Sequence, residues 1–270
     1  MYDRARIARL VGRQREFGLL WSQFEAARTG ATRVTLIGGE PGIGKTRLLS
    51  AFARRASEQG ATVLHGGASQ FDGMPPYLPF LEALGQQIRA ASEDDLRAQV
   101  GQLAPILATI LPELVLRLGE PAASYVLPPE QARLRLFEAV GAFLAAIARS
   151  GALVLILDDL QWADSVSLDL LCAVARYQPS ASLAIVGAYR SGEIEQNPAL
   201  VRAVAELNRL RLLETLQLER LTAEDIADLA HGHLGDQLVT VQSWGDGFPK
   251  WHNACRMRGC WMCITPTVTS

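Results

Sequence analysis

A lysine and a threonine stand side by side at the end of a glycine-rich segment. Gly39, Gly44, Lys45 and Thr46 match the spacing G-x-x-x-x-G-K-[ST]. In this pattern, tight glycine turns point backbone N–H groups at phosphate oxygens, the lysine reaches the β- and γ-phosphates, and the hydroxyl ligates magnesium. The residues expected to contact the nucleotide in this segment are Gly39, Glu40, Pro41, Gly42, Ile43, Gly44, Lys45, Thr46 and Arg47. We therefore predict that the chain binds a nucleoside triphosphate together with Mg²⁺.

The elements predicted on either side of this segment are the ones that phosphate binding requires. Residues 33–37 have the composition of a strand and residues 46–52 that of a helix. A helix that begins at this point presents its positive N-terminal end to an anion. A glycine-rich turn can also match the spacing by chance, but the strand before it and the helix after it favour a phosphate loop.

Two consecutive aspartates follow a second candidate strand. Residues 153–157 are a continuous apolar run, typical of a parallel strand that is covered on both faces. At the tip of such a strand, adjacent to the phosphate loop, Asp158 is the predicted magnesium ligand and Asp159 the predicted general base for an attacking water. The alternative is a strand that simply ends in two solvated acids. Farther on, Asp164 is expected to cap a helix and Trp162 to pack against the core.

An arginine follows the next candidate strand. Residues 182–188 are predicted to be that strand, and Arg190 lies just beyond it. Because parallel strands deliver their carboxyl ends to one edge of a sheet, Arg190 could reach the γ-phosphate and sense hydrolysis. The alternative is a solvated surface arginine. Catalytic roles are thus predicted for Lys45, Asp159 and Arg190.

Strand and helix patterns alternate along the chain, which predicts an α/β fold with a parallel sheet flanked by helices. Five strands are expected, at residues 33–37, 61–65, 153–157, 182–188 and, as an edge strand, 213–218. Flanking helices are expected at residues 13–28, 46–52, 165–177 and 198–210. Between residues 71 and 150 the pattern is helical and interrupted by prolines, so we predict a helical insertion before the third strand.

Two local patterns refine this fold. The predicted helix at 130–149 carries a broad apolar face and should be largely buried. That face consists of Leu134, Leu136, Phe137, Val140, Phe143, Leu144 and Ile147. Thr222 and Asp225 have the spacing of a capping box with aspartate in the glutamate position, which predicts a short helical segment near the C-terminal side.

The bulk composition excludes several classes. The chain has 270 residues, 49% of them hydrophobic, and a net charge of −2. It can bury a sizeable core, and it has no overall basic field to attract nucleic acid or membrane. No apolar run reaches the length of a membrane span and the first residues lack a secretory signal. With four cysteines and no disulfide pattern, a reducing cytoplasmic location is expected.

These motifs together resemble the ATPase domain of the STAND branch of the AAA+ superfamily, most closely that of large LuxR-type bacterial transcriptional regulators. The resemblance runs from about Leu10 to about Leu234. It includes Val11, Gly12 and Arg13, similar to the family's hydrophobic-Gly-Arg-x-x-Glu segment beside the adenine. The GEPGIGKT loop is its Walker A motif, LILDDLQWADSVSLDLL contains its Walker B motif, and Gly187-Ala188-Tyr189-Arg190 follows in order.

The resemblance implies an ATPase domain at residues 1–220, containing the helical insertion at 71–150, and the start of a helical subdomain at 221–246. It also implies ATP or ADP with Mg²⁺, slow hydrolysis of ATP to ADP and phosphate, and a regulatory rather than a metabolic role. In such switches ATP favours an open, self-associating form. Contact with DNA would come only through a missing C-terminal domain. The rival interpretations are an AAA+ ATPase acting directly on DNA or protein, as in origin recognition, and a truncated fragment without catalysis.

Residues 247–270 depart from the family pattern. From Gly247 onward there is no Asp or Glu, while Trp, Cys, Met and Arg become frequent. The segment resembles an out-of-frame reading at the end of a truncated gene. Two alternatives are a metal site and contact with single-stranded nucleic acid. The candidate metal ligands are His252, Cys255, Cys260 and Cys263, and the candidate nucleic-acid contacts are Lys250, Trp251, Arg256, Arg258 and Trp261.

Overall fold

Five parallel strands form one sheet in the computed structural model, which describes residues 10–71, 73–120, 127–177 and 181–226. The strands are β1 (Arg33–Gly39), β2 (Thr62–Gly67), β3 (Leu153–Asp158), β4 (Leu183–Arg190) and β5 (Leu213–Gln217). Their order across the sheet is β2-β3-β4-β1-β5, and every neighbouring pair is parallel. The predicted α/β fold, with five parallel strands and an edge strand at β5, is confirmed.

Helices flank this sheet. They are α1 (Gln14–Arg28), α2 (Lys45–Glu58), α3 (Leu78–Ala90), α4 (Glu93–Val100), α5 (Ala104–Leu107), α6 (Glu113–Leu118), α7 (Pro129–Ala148), α8 (Ser165–Arg176) and α9 (Pro198–Arg209). Helices α3 to α7 lie between β2 and β3 in the chain, as predicted for the helical insertion. Two short 3₁₀ turns, Leu160–Trp162 and Ser191–Gln196, follow β3 and β4.

The sheet separates two apolar layers because side chains alternate along each strand. On one face, Ile37, Ile156 and Val186 pack against α1 and α2. On the other face, Leu36, Leu155 and Ile185 join the larger core built with α3 to α9. Helix α1 packs here through Leu20 and Phe24, which are buried, and the Phe24 ring meets the Phe52 ring of α2 edge-on at 6.0 Å.

The order of the strands determines which strand ends lie beside the glycine-rich loop. Strand β3 is not adjacent to β1, the strand that leads into the glycine-rich loop, because β4 lies between them. In the register, Gly39 of β1 pairs with Arg190 of β4, and Leu157 of β3 pairs with Gly187 of β4. The carboxyl ends of all three strands therefore meet at one edge, which is where α/β sheets place their ligands.

Helix α7 differs from its prediction at one position. Most of its apolar face is buried, but the Leu134 side chain is 58% exposed. Leu134 borders a cavity of about 450 Å³ between α7, α8 and α9, and none of the elements that the structure describes covers it. The prediction of burial is therefore wrong for this residue, because periodicity shows which side of a helix is apolar and not how far its neighbours extend.

Two predicted helix caps are confirmed. The Asp164 carboxylate accepts the backbone N–H of Ser167 at 2.9 Å and opens α8. Thr222 and Asp225 cap each other reciprocally, at 3.0 and 3.2 Å. The predicted helical segment beyond Ile226 and the cysteine-containing tail lie outside the described residues. Within the described ranges, no helix is both long enough and apolar enough to cross a bilayer.

Candidate functional site

The glycine-rich loop between β1 and α2 has a backbone that only glycine adopts easily. Gly42 and Gly44 have φ values of +74° and +104°, in the left-handed region that a Cβ atom disfavours. A Cβ atom at either position would meet no atom within 4 Å, so the backbone angles, rather than crowding, require glycine here. The loop leads directly into α2, whose first residue is Lys45 rather than the predicted Thr46. Its shape is that of a concave backbone cradle ending at a helix N-terminus, which suits a phosphate group.

Lys45 lies inside this cradle. Its side chain is buried, and its ammonium donates hydrogen bonds to the carbonyl oxygens of Gly39 at 2.9 Å and Glu40 at 3.0 Å. Burial lowers the pKa of Lys45 from its ordinary value, and the nearby carboxylates of Asp158 and Asp159 oppose that shift. A desolvated cation whose partners are mostly neutral carbonyls is well prepared to bind an anion, because charge-assisted hydrogen bonds are stronger than neutral ones.

Asp158 and Thr46 meet across the site although they are 112 positions apart in the chain. The Thr46 hydroxyl lies 3.3 Å from Oδ2 of Asp158, while Oδ1 accepts the backbone N–H of Asp159 at 2.9 Å. Burial raises the pKa of Asp158, and the hydrogen bonds from Asp159 and Thr46 partly offset this rise. A hydroxyl and a carboxylate facing each other are hard oxygen donors of the kind that Mg²⁺ prefers, so this pair fits the ion.

Asp159 continues from β3 in a left-handed conformation, with φ +55°. Aspartate tolerates this region better than most residues. Oδ1 of Asp159 accepts a hydrogen bond from the Gln161 amide at 2.9 Å. The carboxylate is close enough to Lys45 to oppose the lowering of that lysine's pKa. The structure thus places both aspartates beside the loop, and their chemical roles remain predictions.

Arg190 does not match one of the two alternatives that its sequence position suggested, a solvated surface arginine. Its guanidinium lies over the Trp162 ring, 4.5 Å from the centroid, and pairs with the Glu193 carboxylate at 2.9 Å. The side chain is only 29% exposed. It is near enough to Lys45 to lower that lysine's pKa. The sensor role of Arg190 and the packing of Trp162 against the core remain predictions.

Arg13 forms hydrogen bonds with the glycine-rich loop and with the segment after β5. Its guanidinium donates to the carbonyl oxygens of Ile43 at 3.2 Å and Glu219 at 2.5 Å, and it pairs with Glu16 at 2.8 Å. These contacts connect the N-terminal segment, the loop and the residues after β5. The predicted contact of Arg13 with the nucleotide remains a prediction.

The other predicted nucleotide contacts lie close by. Gly12 has φ +67°, and a Cβ atom there would come within 2.5 Å of the Asp225 carboxylate, so no larger residue fits. Val11 is half-buried in the same segment, and Arg47 is half-buried on the first turn of α2. Their contact with nucleotide remains a prediction.

Two residues of this site were not singled out from the sequence. Gln161 is buried and touches Asp159, and Asn197 donates to the backbone carbonyl of Gln161 at 3.2 Å. Asn197 also caps α9 by accepting the N–H groups of Ala199 and Leu200, both at 3.1 Å. An asparagine followed by proline at a helix start is a recognisable cap signal, so Asn197 could have been found. Gln161 carries no such local signal.

The burial of Asp158 predicts a gain in stability when its charge is removed. Because its pKa is higher in the folded protein than the ordinary 3.8, ionised Asp158 destabilises the fold above the folded pKa. We expect Asp158→Asn to raise the free energy of unfolding at pH 7 by about 1 kcal/mol. The gain should shrink as the pH falls through the folded pKa and vanish below the unfolded one. Urea unfolding at several pH values measures it.

The matched control for this experiment is Asp94→Asn, which removes one charge from an exposed position in the first turn of α4. Its effect should stay within about 0.5 kcal/mol. An Asp158→Asn protein that is less stable than the parent at pH 7 would show that the ionised carboxylate stabilises the fold.

Among the residues that the structure describes, no group of three or more His, Cys, Asp or Glu side chains could hold a metal ion. The predicted tail ligands His252, Cys255, Cys260 and Cys263 lie outside the described part of the chain.

Comparison with known proteins gives a family and several distant structural likenesses. The model of the AAA ATPase domain matches residues 9–186. An uncharacterized protein of Rhizobium meliloti (strain 1021) is 27% identical over 182 residues, which cover 62% of this chain and 17% of that protein. The chain thus spans about a sixth of the length of that relative.

Solved structures resemble the chain only distantly. A chain of the E. coli MS115-1 HORMA:CdnC:Trip13 complex has a TM-score of 0.48 at 13% identity, over 86% of this chain and 71% of that one. AMPPCP-bound DnaA from Aquifex aeolicus has a TM-score of 0.43 at 16% identity, over 85% and 53%. Drosophila ORC bound to DNA has a TM-score of 0.41 at 14% identity, over 79% and 96%. At these TM-scores the likenesses carry no argument about ligands.

The family assignment rests on the domain match, which covers well over half of the chain. The match includes the glycine-rich loop, Lys45, Thr46, and both aspartates after β3. By this match the chain belongs to the AAA ATPase domain family.

Proposed function

We propose that this chain binds ATP with Mg²⁺ and hydrolyses it slowly, as the switch module of a signalling or transcriptional regulator. The observation that carries the proposal is the contact between Thr46 and Asp158 at 3.3 Å. It joins the phosphate loop to the tip of β3, with the buried Lys45 ammonium beside it. Separate parts of the sequence thus supply the phosphate cradle and the magnesium donors at one edge of the sheet.

Lys45 would bind the β- and γ-phosphates. Its hydrogen bonds to the Gly39 and Glu40 carbonyls can be exchanged for stronger bonds to phosphate oxygens. The N–H groups of the loop and the positive end of α2 add to the attraction for the anion. Binding therefore replaces neutral partners with charged ones, without the lysine having to enter the site from solvent.

Thr46 and Asp158 would hold the magnesium ion. When bound, the ion neutralises charge on the phosphates and so helps the leaving group depart. The Thr46 residue is exposed, which leaves its hydroxyl accessible from the loop side.

Asp159 would act as general base. The oxygen of a water molecule forms a bond to the γ-phosphorus while the bond from that phosphorus to the β–γ bridging oxygen breaks. Asp159 accepts the proton from the water, and the bridging oxygen keeps the electron pair as ADP leaves. Arg190, held by Trp162 and Glu193 at the end of β4, would sense the loss of the γ-phosphate.

The regulatory role is inferred from the resemblance of the VGR, GEPGIGKT and DDLQWAD segments to STAND regulators. A nucleotide shifts the equilibrium between two forms only by its differential affinity for them. Slow turnover suits this use, because each form must persist long enough to signal. Self-association in the ATP form and DNA contact through another domain belong to the same proposal.

The proposal is tested by measuring ATP turnover with and without duplex DNA, and sedimentation with ADP or a non-hydrolysable ATP analogue. We expect slow turnover that DNA leaves unchanged, and a larger sedimentation coefficient with the analogue than with ADP. Turnover stimulated by DNA would favour an ATPase that acts on DNA directly. The same sedimentation coefficient with ADP and with the ATP analogue would argue against self-association in the ATP form.

A further inference from the structure

We propose that Gln161 is the positioning residue for Asp159, holding the carboxylate of the general base in the orientation that hydrolysis needs. This inference rests on the proposed function, because it assigns a role within ATP hydrolysis. It concerns a side chain that belongs neither to the phosphate loop nor to the predicted magnesium site.

The contacts of the Gln161 amide define which of its ends faces which partner. Its oxygen accepts the backbone N–H of Arg190 at 3.1 Å, and its nitrogen donates to Oδ1 of Asp159 at 2.9 Å. A backbone N–H can only donate and a carboxylate can only accept, so the reversed orientation of the amide would lose both bonds. The residue is 6% exposed, so water cannot easily substitute for either partner.

The turn that carries Gln161 is itself fixed. Asn197 donates to the backbone carbonyls of Gln161 at 3.2 Å and Ala163 at 2.9 Å, while its own oxygen caps α9. The turn is therefore attached to the end of β4 through Arg190 and to the start of α9 through Asn197. A glutamine held at both its backbone and its side chain has little freedom to release Asp159.

The chemistry of an amide suits this task. A lysine or arginine in the same place would also donate to Asp159, but its charge would favour the ionised carboxylate and weaken it as a base. The neutral amide engages Oδ1 and leaves Oδ2 as the oxygen that can accept a proton from water. Arg190 pairs in register with Gly39 of β1. The hydrogen bond from the Arg190 N–H to Gln161 therefore also fixes the Asp159 carboxylate relative to β1, the strand that leads into the loop.

Gln161→Glu tests this role with nearly the same shape. Its carboxylate can still accept the Arg190 N–H, but it faces Asp159 with an acceptor instead of a donor. At about pH 8 we expect the single-turnover rate of ATP hydrolysis to fall about 10-fold or more, with the dissociation constant for ATP within about threefold of the parent. The loss should appear in the rate and not in the affinity, because Gln161 contacts the predicted base rather than the phosphate loop.

Gln161→Met provides a second variant of similar volume that has neither donor nor acceptor. We expect a similar loss of rate, again with nearly unchanged affinity for ATP. Asp164→Ala is the control for a purely structural effect, since it removes the cap of α8 from the same segment and leaves the Asp159 contact in place. It should cost about 1 kcal/mol of stability and leave the single-turnover rate within about threefold of the parent.

The outcomes separate this inference from the proposed function. Parent-like turnover in Gln161→Met or Gln161→Glu, or an equal loss of rate in Asp164→Ala, would overturn the positioning role alone. A parent protein that binds ATP without any turnover would overturn both the positioning role and the hydrolytic part of the function. A folded parent that binds no ATP would overturn the proposed function as a whole.

Discussion

Lys45→Ala is expected to weaken the binding of Mg·ATP by about 2 to 5 kcal/mol, which is roughly 30-fold to more than 1,000-fold in affinity. The reason is the position of the ammonium. It is buried inside the loop, 2.9 and 3.0 Å from two backbone carbonyls, so its bonds to phosphate would form in a partly desolvated site. Isothermal titration of ATP into parent and variant, at fixed Mg²⁺, measures the difference.

The matched control for this variant is Arg54→Ala on the same helix. It also removes one positive charge from α2, but the Arg54 side chain is about half exposed and pairs only loosely with Glu58, at 3.8 Å. Its ATP affinity should stay within about threefold of the parent, because exposed ion pairs contribute little. If Lys45→Ala bound ATP as tightly as this control, the glycine-rich loop would not be the phosphate site.

Asp159→Asn is expected to slow hydrolysis by about 100-fold to 10,000-fold, the usual contribution of a general base. Asparagine keeps the shape of the side chain and an oxygen that can accept the Gln161 amide, but it cannot take a proton from water at neutral pH. Binding of Mg·ATP should remain within a few-fold of the parent. Single-turnover hydrolysis and titration of the same preparation separate the two effects.

Asp164→Asn is the control that isolates the chemistry of Asp159. It removes a negative charge only five positions away, and asparagine caps a helix about as well as aspartate does. Its turnover should equal that of the parent. Equal losses in Asp159→Asn and Asp164→Asn would point to the local field rather than to proton transfer, and an unaffected Asp159→Asn would remove Asp159 from the mechanism.

Features set by short stretches of sequence could be predicted. The glycine spacing before Lys45, the apolar run before Asp158 and the cap at Asp164 each depend on neighbours in the chain, and the structure places all three as expected. The α/β alternation also follows from local periodicity. The predicted strand boundaries were less accurate. Strand β1 extends to Gly39 and β4 to Arg190, because these two residues pair with each other.

Features that depend on distant parts of the chain could not be predicted. The insertion of β4 between β1 and β3 is a matter of long-range pairing, which local periodicity does not reveal. Arg190 contacts Trp162, 28 positions before it, and its backbone N–H donates to the Gln161 side chain. Arg13 donates to a carbonyl 206 positions away at Glu219. A sequence pattern shows which residue types recur along the chain, whereas these contacts depend on how distant parts of the chain pack together.

The central claim is that the loop, the magnesium donors and the general base act together on ATP. Titration of ATP into the folded chain, first with Mg²⁺ and then with a chelator in its place, tests it most directly. The account predicts saturable one-to-one binding that weakens strongly when Mg²⁺ is removed. A chain that unfolds cooperatively on heating, and is therefore folded, yet shows no binding of ATP with Mg²⁺ present would contradict it.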